Sequence, residues 1–201
     1  MPSVINYNIT KRISRVLQLL DIKRLDFKHK QSNTTRGLYE LITKYIRSEH
    51  TVVELGSFAG VSSELFALFC GKLYCIDRWE SYREIEESNK LLMAEQRFDS
   101  MCMNYTNIVK LKMDSVDAVD NFADGSIDLV YIDTDHSSEQ VEREINAWYP
   151  KIKLDGWIAG HDINMPTVFN VVMDYFDPTM VEFFNDTSWI TKKRNYIKNE
   201  Y

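Results

Sequence analysis

Residues 51–60 read T-V-V-E-L-G-S-F-A-G, a short β-type run followed by an acid and two glycines four positions apart. A helical pattern begins directly afterwards, over residues 61–69. A strand that ends in a glycine-rich turn and opens a helix forms a cradle for a nucleotide-type ligand. Glycine lets the backbone approach the ligand closely, and the first N–H groups of the helix are free to bind it. The stretch therefore predicts a strand, a binding turn and a helix.

The spacing of the two glycines separates classes of cofactor. A dinucleotide fingerprint reads G-x-G-x-x-G, but Gly56 and Gly60 have three other residues between them, and no G-x-x-x-x-G-K-[ST] run occurs. What remains is E-x-G-x-x-x-G, with Glu54 just before the turn. This resembles the first motif of class I S-adenosylmethionine-dependent methyltransferases. The resemblance implies that the turn passes under the methionine part of the cofactor, with Glu54 near its cationic groups; a plain strand–helix junction is the alternative.

The rest of the chain alternates between strand-type and helix-type patterns. Strands are predicted over 72–76, 108–113, 127–132 and 157–160, and helices over 38–46, 81–103, 116–122, 139–149 and 168–176. A helix is also predicted over 13–20, a loop over 26–36 and a turn at Asp155-Gly156, and Thr34 or Thr35 is expected to cap the helix over 38–46. Short runs at 181–184 and 188–192 are expected to form a closing antiparallel pair. Such alternation predicts a doubly wound α/β fold, with a mostly parallel seven-stranded sheet and an antiparallel C-terminal strand. We expect one domain, with a core over 37–201 and an N-terminal extension of helix and loop over 1–36.

Composition is that of an ordinary globular domain. The 201 residues are 44% hydrophobic and 27% charged, no apolar run reaches membrane-spanning length, and the N-terminus has no signal-peptide core. Three cysteines with no C-x-x-C pair favour free thiols in a reducing compartment. The expected location is therefore the cytoplasm.

Charge is distributed unevenly along the chain. The first 50 residues contain ten Lys or Arg and four Asp or Glu, a net charge of +6. Because the whole chain has a net charge of −6, the remaining residues carry −12. The basic leader is either a surface for an anionic partner or a solvated helix face. The acidic body argues against nucleic acid as the main partner.

Every predicted parallel strand is followed or ended by an acid. These acids are Glu54, Asp77, Asp114, Asp133 and Asp162. Ligands of doubly wound sheets bind at the carboxyl ends of the strands, so the acids predict a site there. Asp77 is expected to accept the ribose hydroxyls, with Arg78 and Trp79 bordering the adenine. The family resemblance places Asp114 and Ser115 near the adenine amino group; helix capping is the alternative for both acids.

Two runs at neighbouring strand ends carry the densest chemistry. The first is Tyr131-Ile132-Asp133-Thr134-Asp135-His136, and the second is Gly160-His161-Asp162. Because adjacent parallel strands lie about 5 Å apart, Asp133 and the His161/Asp162 pair are expected to face each other across a gap that suits Mg²⁺ or Mn²⁺. His136 is the expected general base, because an unperturbed imidazole titrates near neutral pH. Helix capping by His136 and core packing by His161 are the alternatives.

Residues 38–193 resemble the small-molecule and sugar O-methyltransferases of the class I fold. The resemblance rests on these two runs and on the stretch W-Y-P-K-I-K-L-D-G-W-I-A-G-H-D. That group includes macrolide-sugar and glycan O-methyltransferase-like enzymes and is distantly related to catechol O-methyltransferase. The resemblance implies Asp133 and Asp162 as metal ligands and His136 as the base, with His161 where metal-dependent relatives usually carry an acid. The expected cofactor contacts are Glu54, Gly56, Ser57, Phe58, Gly60, Ser62, Asp77, Arg78, Asp114, Ser115 and Asp133.

The sequence therefore predicts transfer of a methyl group from S-adenosylmethionine to a hydroxyl of a small molecule or carbohydrate. A homodimer is a possible state of the protein. An NAD-linked oxidoreductase is disfavoured by the missing middle glycine. A catalytically silent scaffold has no need of the strand-end acids. A nucleic-acid methyltransferase would be expected to carry an exposed aromatic clamp and a basic face.

Overall fold

A single seven-stranded sheet forms the centre of the computed structural model, which describes residues 15–16, 18, 23–24, 33–80 and 85–198. Its strands are β1 Thr51–Leu55, β2 Lys72–Asp77, β3 Ile108–Lys112, β4 Ile127–Ile132, β5 Ile152–Gly160, β6 Glu182–Phe183 and β7 Trp189–Lys192. They lie in the order 3-2-1-4-5-7-6. Strands β1–β5 are parallel, and β7 runs antiparallel to both β5 and β6. The predicted fold class, with its closing antiparallel strand, is confirmed.

Among residues 33–80 and 85–198, five α-helices cover the two faces of the sheet. They are α1 Arg36–Tyr45, α2 Val61–Ala67, α3 Ile85–Cys102, α4 Ser138–Trp148 and α5 Pro166–Tyr175. The helix predicted over 116–122 is a 3₁₀ helix, Asp117–Asn121. Within the described helices, none is long and apolar enough to cross a membrane.

The core consists of two layers, one on each face of the sheet. Neighbouring residues of β1 point to opposite faces, so Val52 packs with α1–α3 and Val53 packs with α4 and α5. Both faces are covered, which explains why the central strands are nearly continuous apolar runs. This arrangement leaves the carboxyl ends of β1–β5 together at one edge, where the strand-end acids meet.

The turn predicted at Asp155-Gly156 is wrong, because β5 begins earlier, at Ile152. The pairing of β5 with β4 shifts register between Ile127 and Leu129, so the dipeptide lies in an irregular part of the strand. A Cβ on Gly156 would approach the Cγ2 atom of Ile152 to 2.6 Å, so this strand irregularity requires glycine.

The helix predicted over 13–20 falls largely outside the described residues, although Arg15, Val16 and Gln18 are helical. Part of the predicted loop forms a two-residue strand instead, Asn33–Thr34, which pairs antiparallel with Lys23–Arg24. The rest of that loop also falls outside the described residues.

Helix α1 is capped from a distant part of the chain. The prediction that Thr35 caps it is wrong, because Thr35 at the N-cap position makes no side-chain cap hydrogen bond, and the side chain of Thr34 lies outside the described part of the chain. The amide of Leu38 donates instead to the carboxylate of Asp186, at 2.6 Å. The turn before β7 is thereby fixed to the start of α1.

Candidate active site

The glycine turn is held tightly between β2, β4 and α3. Gly56 has a φ of +87° and donates its N–H to the carbonyl of Ile76 at 2.8 Å. A Cβ at Gly56 would lie 1.9 Å from the carbonyl oxygen of Asp133, so only glycine fits. Gly60, with a φ of +83°, opens α2 beneath Met101. The turn therefore forms as predicted and lies directly against the end of β4.

Glu54 lies beneath this turn and is fully buried. Its carboxylate accepts hydrogen bonds from Ser57, at 2.8 Å, and from Ser63, and Ser62 lies within bonding reach. Burial raises the pKa of Glu54, and the three serine hydroxyls partly offset that effect. The structure places Glu54, Ser57 and Ser62 as an internal brace of the turn, whereas the exposed ring at the turn is that of Phe58.

Asp77 joins the glycine turn to the loop after β2. Its two carboxylate oxygens accept the backbone N–H groups of Phe58 and Trp79, each at 2.8 Å. The indole of Trp79 donates to the carbonyl of Phe58 at 2.7 Å and packs on Phe98, with 4.8 Å between ring centroids. Trp79 is thus buried in the structure, between the glycine turn and α3. Each oxygen of Asp77 keeps a lone pair for a ribose hydroxyl.

The loop after β3 holds Asp114, which lies 3.7 Å from the guanidinium of Arg78. Asp114 also accepts the N–H of Val116 at 2.9 Å, but the 3₁₀ helix that follows has Val116 at its N-cap position and no side-chain cap hydrogen bond, so Asp114 does not cap it. The hydroxyl of Ser115 points away from these groups and donates to Glu144, at 2.5 Å. The structure therefore brings Arg78 and Asp114 together and turns Ser115 towards the interior.

Glu144 is a buried acid that the sequence analysis missed. It lies on α4, is fully inaccessible, and binds the hydroxyls of Ser115 and Thr134 and the amide of Gln140. Burial raises its pKa, and the hydrogen bonds partly offset that rise. Through Glu144 the loop after β3 is connected to the loop after β4. Its signal in the sequence is an acid within the apolar stripe that Val141, Ile145 and Trp148 define.

Asp133, His136 and Asp162 converge at the ends of β4 and β5. The Nε2 atom of His136 lies 2.7 Å from Oδ2 of Asp162 and 3.7 Å from Oδ1 of Asp133. One ligand atom from each residue lies within 4.8 Å of the other two, a spacing that can hold a metal ion. We call these three residues the edge triad.

The edge triad is strongly coupled electrostatically. The carboxylates of Asp133 and Asp162 raise the pKa of His136 to about 10. Burial favours a higher pKa for Asp162, but the imidazoles of His136 and His161 beside its carboxylate outweigh that effect and hold the pKa well below its usual range. In this arrangement His136 is an imidazolium at neutral pH, so it carries the proton that a base would have to accept. Capping of α4 falls to Ser137, which accepts the N–H of Gln140, and not to His136.

His161 lies behind the edge triad. It is buried, its Nδ1 atom is 3.1 Å from Oδ2 of Asp162, and its Nε2 atom is 3.3 Å from the hydroxyl of Thr187. Of the predicted metal set, Asp133 and Asp162 therefore meet, while the imidazole that joins them is that of His136. Asp162 has a left-handed backbone, with a φ of +56°, and its carboxylate lies beside both imidazoles.

Comparison with known proteins gives one family and many similar folds. The model of a family described as "Methyltransferase domain" matches residues 53–163, just over half of the chain. None of the curated proteins matches the sequence.

Among solved structures, the cofactor-bound protein Rv0187 from MTB shares 14% identity, covers 92% of this chain and 90% of its own, and gives a TM-score of 0.54. SMU.1697c from Streptococcus mutans, in complex with SAH, shares 10% identity over 76% of this chain and 92% of its own, with a TM-score of 0.55. An rRNA methylase from Streptococcus thermophilus shares 14% identity over 77% and 93%, with a TM-score of 0.52. At these identities the likeness concerns the fold.

Proposed function

This chain belongs to the methyltransferase-domain family, and from that premise we propose that it transfers a methyl group from S-adenosylmethionine to a hydroxyl of a small molecule or carbohydrate. The observation that carries the proposal is the position of the edge triad. Asp133 directly follows β4, and its carbonyl lies so close to Gly56 that no side chain fits between them. A cofactor on the glycine turn and an acceptor on the edge triad would therefore be neighbours.

The residues around the turn fit S-adenosylmethionine, which supplies the methyl group on a sulfonium. Gly56 and Gly60 keep the backbone open to close approach, and Asp77 has acceptor capacity for the ribose. Asp114 and Arg78, paired at the neighbouring strand end, are the proposed adenine contacts. Glu54 supports this set from below, because its buried carboxylate holds the turn and the start of α2.

The edge triad also fits a divalent cation. Two carboxylates and an imidazole suit Mn²⁺ or another transition metal, and two carboxylates with waters suit Mg²⁺. We place the carboxylates of Asp133 and Asp162 in this set, keep the His136 imidazole beside the cation as the free base, and place His161 outside the set. When bound, the cation would lower the pKa of the acceptor hydroxyl and orient that group.

Removal of the hydroxyl proton is assigned to the edge triad. His136 stays the proposed acceptor of that proton, and Asp133 is the neighbouring carboxylate that stabilises it once it is charged. His136 must first lose the proton that the two carboxylates hold on it. Methyl transfer then needs only that the acceptor oxygen lies in line with the sulfonium methyl.

A small acceptor is favoured by the charge of the protein. Residues 51–201, which contain the seven-stranded sheet, carry a net charge of −12 and would repel a nucleic-acid backbone. The rRNA methylase among the similar folds supports only the fold at its level of identity.

The test is transfer of a labelled methyl group from S-adenosylmethionine to a catechol, to a methyl hexoside and to RNA, each with Mg²⁺, Mn²⁺ or a chelator. We expect label on a hydroxyl of a small acceptor, and loss of most of the transfer when the chelator removes the cation. Label on RNA alone would overturn the acceptor class. Equal transfer with and without the chelator would remove the cation from the proposal.

A further inference from the structure

Backbone strain in the described residues concentrates at the carboxyl edge of the sheet. Four residues other than glycine have a positive φ there, namely Phe58, Trp79, Asp162 and Thr187. Strained residues persist where the surrounding structure needs them, and they cluster at functional sites. Thr187 stands out, because a side chain branched at Cβ rarely occupies the left-handed region.

Thr187 occupies a position that normally takes glycine. The turn between β6 and β7 is closed by a hydrogen bond of 3.0 Å from the N–H of Thr187 to the carbonyl of Phe184, and Phe184 donates to Ser188 at 2.9 Å. Hairpin turns of this kind end in a left-handed residue, for which glycine is preferred. At Thr187 φ is +72°. Glycine would remove the strain, so the threonine side chain must supply something that glycine lacks.

Thr187 contacts both chain neighbours of Asp162: its side chain contacts His161, and its backbone contacts Ile163. The hydroxyl of Thr187 lies 3.3 Å from Nε2 of His161, and its carbonyl accepts the N–H of Ile163 at 3.1 Å. His161 in turn places Nδ1 3.1 Å from the carboxylate of Asp162. With Nδ1–H directed at the carboxylate, Nε2 accepts the hydroxyl proton of Thr187.

The turn itself has little freedom to move. Asp186 accepts the N–H of Leu38 at 2.6 Å and that of Ser188 at 3.0 Å. The hydroxyl of Ser188 lies 3.0 Å from the phenol oxygen of Tyr131, on β4. Thr187 is therefore held between α1 and the sheet, as a fixed point against which His161 is oriented.

We propose that Thr187 and His161 are positioning residues, which fix the Asp162 carboxylate in the orientation that the edge triad requires. The inference rests on the proposed function, since it assigns these residues to the site of methyl transfer. Hydrogen-bonded partners behind a ligating or reacting group set its orientation in the same way in other proteins.

The proposal predicts that stability and activity change in opposite directions. Thr187→Gly removes both strain and hydroxyl, so we expect a melting temperature about 2–4 °C higher and a kcat lowered roughly tenfold or more, with KM nearly unchanged. Thr187→Ser keeps the hydroxyl without the branch at Cβ, so it should retain the kcat of the natural protein with no loss of melting temperature.

The experiment combines thermal melts, kcat and KM with a catechol and a methyl hexoside, and NMR of the imidazole nitrogens in the full chain. Loss of the Thr187 hydroxyl should shift the Nε2 resonance of His161 in the glycine variant, and not in the serine variant. Unchanged turnover in Thr187→Gly, equal damage in Thr187→Ser, or an unmoved His161 resonance would each overturn the proposal. If the natural protein methylates neither acceptor, the proposed function fails, while the melts and the imidazole resonances still decide this inference.

Discussion

At the scale of single residues, His136 has the environment most unlike that of an ordinary histidine. Its imidazole lies between two carboxylates, and they raise its pKa to about 10. The sequence correctly indicated that Asp133 and Asp162 lie near each other, but not which histidine joins them. The two histidines differ in their three-dimensional placement, which has no sequence pattern: His136 lies between the two carboxylates, whereas His161 contacts Thr187, 26 residues further along the chain.

His136→Ala should leave S-adenosylmethionine binding intact and lower kcat by about a hundredfold or more, the usual contribution of a positioned acid–base group. Calorimetry and a methyl-transfer assay measure the two effects separately. His50→Ala is the control, because His50 precedes β1 at the amino edge of the sheet, away from the edge triad. Full turnover in His136→Ala would sink the assignment.

Glu144 gives a prediction about stability and pH. Burial raises its pKa above the ordinary value of 4.5, so the folded protein holds this proton more tightly than the unfolded chain does. The free energy of unfolding must then fall as the pH rises from about 4.5 through the folded pKa. Glu144→Gln cannot ionise, so its stability relative to the natural protein should increase over the same range.

Urea unfolding at a series of pH values measures this difference. Glu139→Gln, at an exposed position of the same helix, is the control and should follow the natural protein. A constant difference between Glu144→Gln and the natural protein at every pH would show that Glu144 does not have a raised pKa.

At the scale of elements, the packing of the glycine turn explains why Gly56 must be glycine, and Gly125, which has no neighbour at its Cβ position, offers a comparison. Gly56 and Gly125 both have a positive φ, but a Cβ on Gly56 meets the backbone of Asp133, whereas a Cβ on Gly125 has nothing within 4 Å. We expect Gly125→Ala to cost about 1 kcal/mol, from backbone strain alone.

Gly56→Ala should cost about 3 kcal/mol or more, because the end of β4 must also move. It should abolish cofactor binding as well, since the turn and the edge triad share this contact. Denaturant unfolding of both variants provides the comparison. Equal losses in the two variants would mean that the turn is not packed against Asp133 as described.

The elements were predictable to different degrees. The parallel strands and the turn follow from local patterns, such as the apolar run of β4 and the two glycines. The cap of α1 did not, because its acceptor is Asp186, which lies 148 residues along the chain from Leu38. The start of β5 was missed because Asp155-Gly156 has the composition of a turn but is stabilised as an irregular strand by pairing with β4.

At the scale of the whole molecule, the sheet brings chemistry from five strand ends to one edge. This edge carries the glycine turn at Gly56, the Asp77 carboxylate that joins that turn to the loop after β2, and the edge triad. We propose that the glycine turn and Asp77 bind S-adenosylmethionine at this edge.

The most direct test is calorimetric titration of S-adenosylmethionine and its demethylated product into the natural protein, Asp77→Ala and Asp128→Ala. Asp128 is a matched control, because it also accepts a backbone N–H, from Thr51 at 2.8 Å, but at the amino edge of the sheet. We expect micromolar or tighter binding by the natural protein and Asp128→Ala, and at least about tenfold weaker binding by Asp77→Ala. Absence of binding by the natural protein, with or without Mg²⁺ or Mn²⁺, would show that the glycine turn and Asp77 are not a cofactor site.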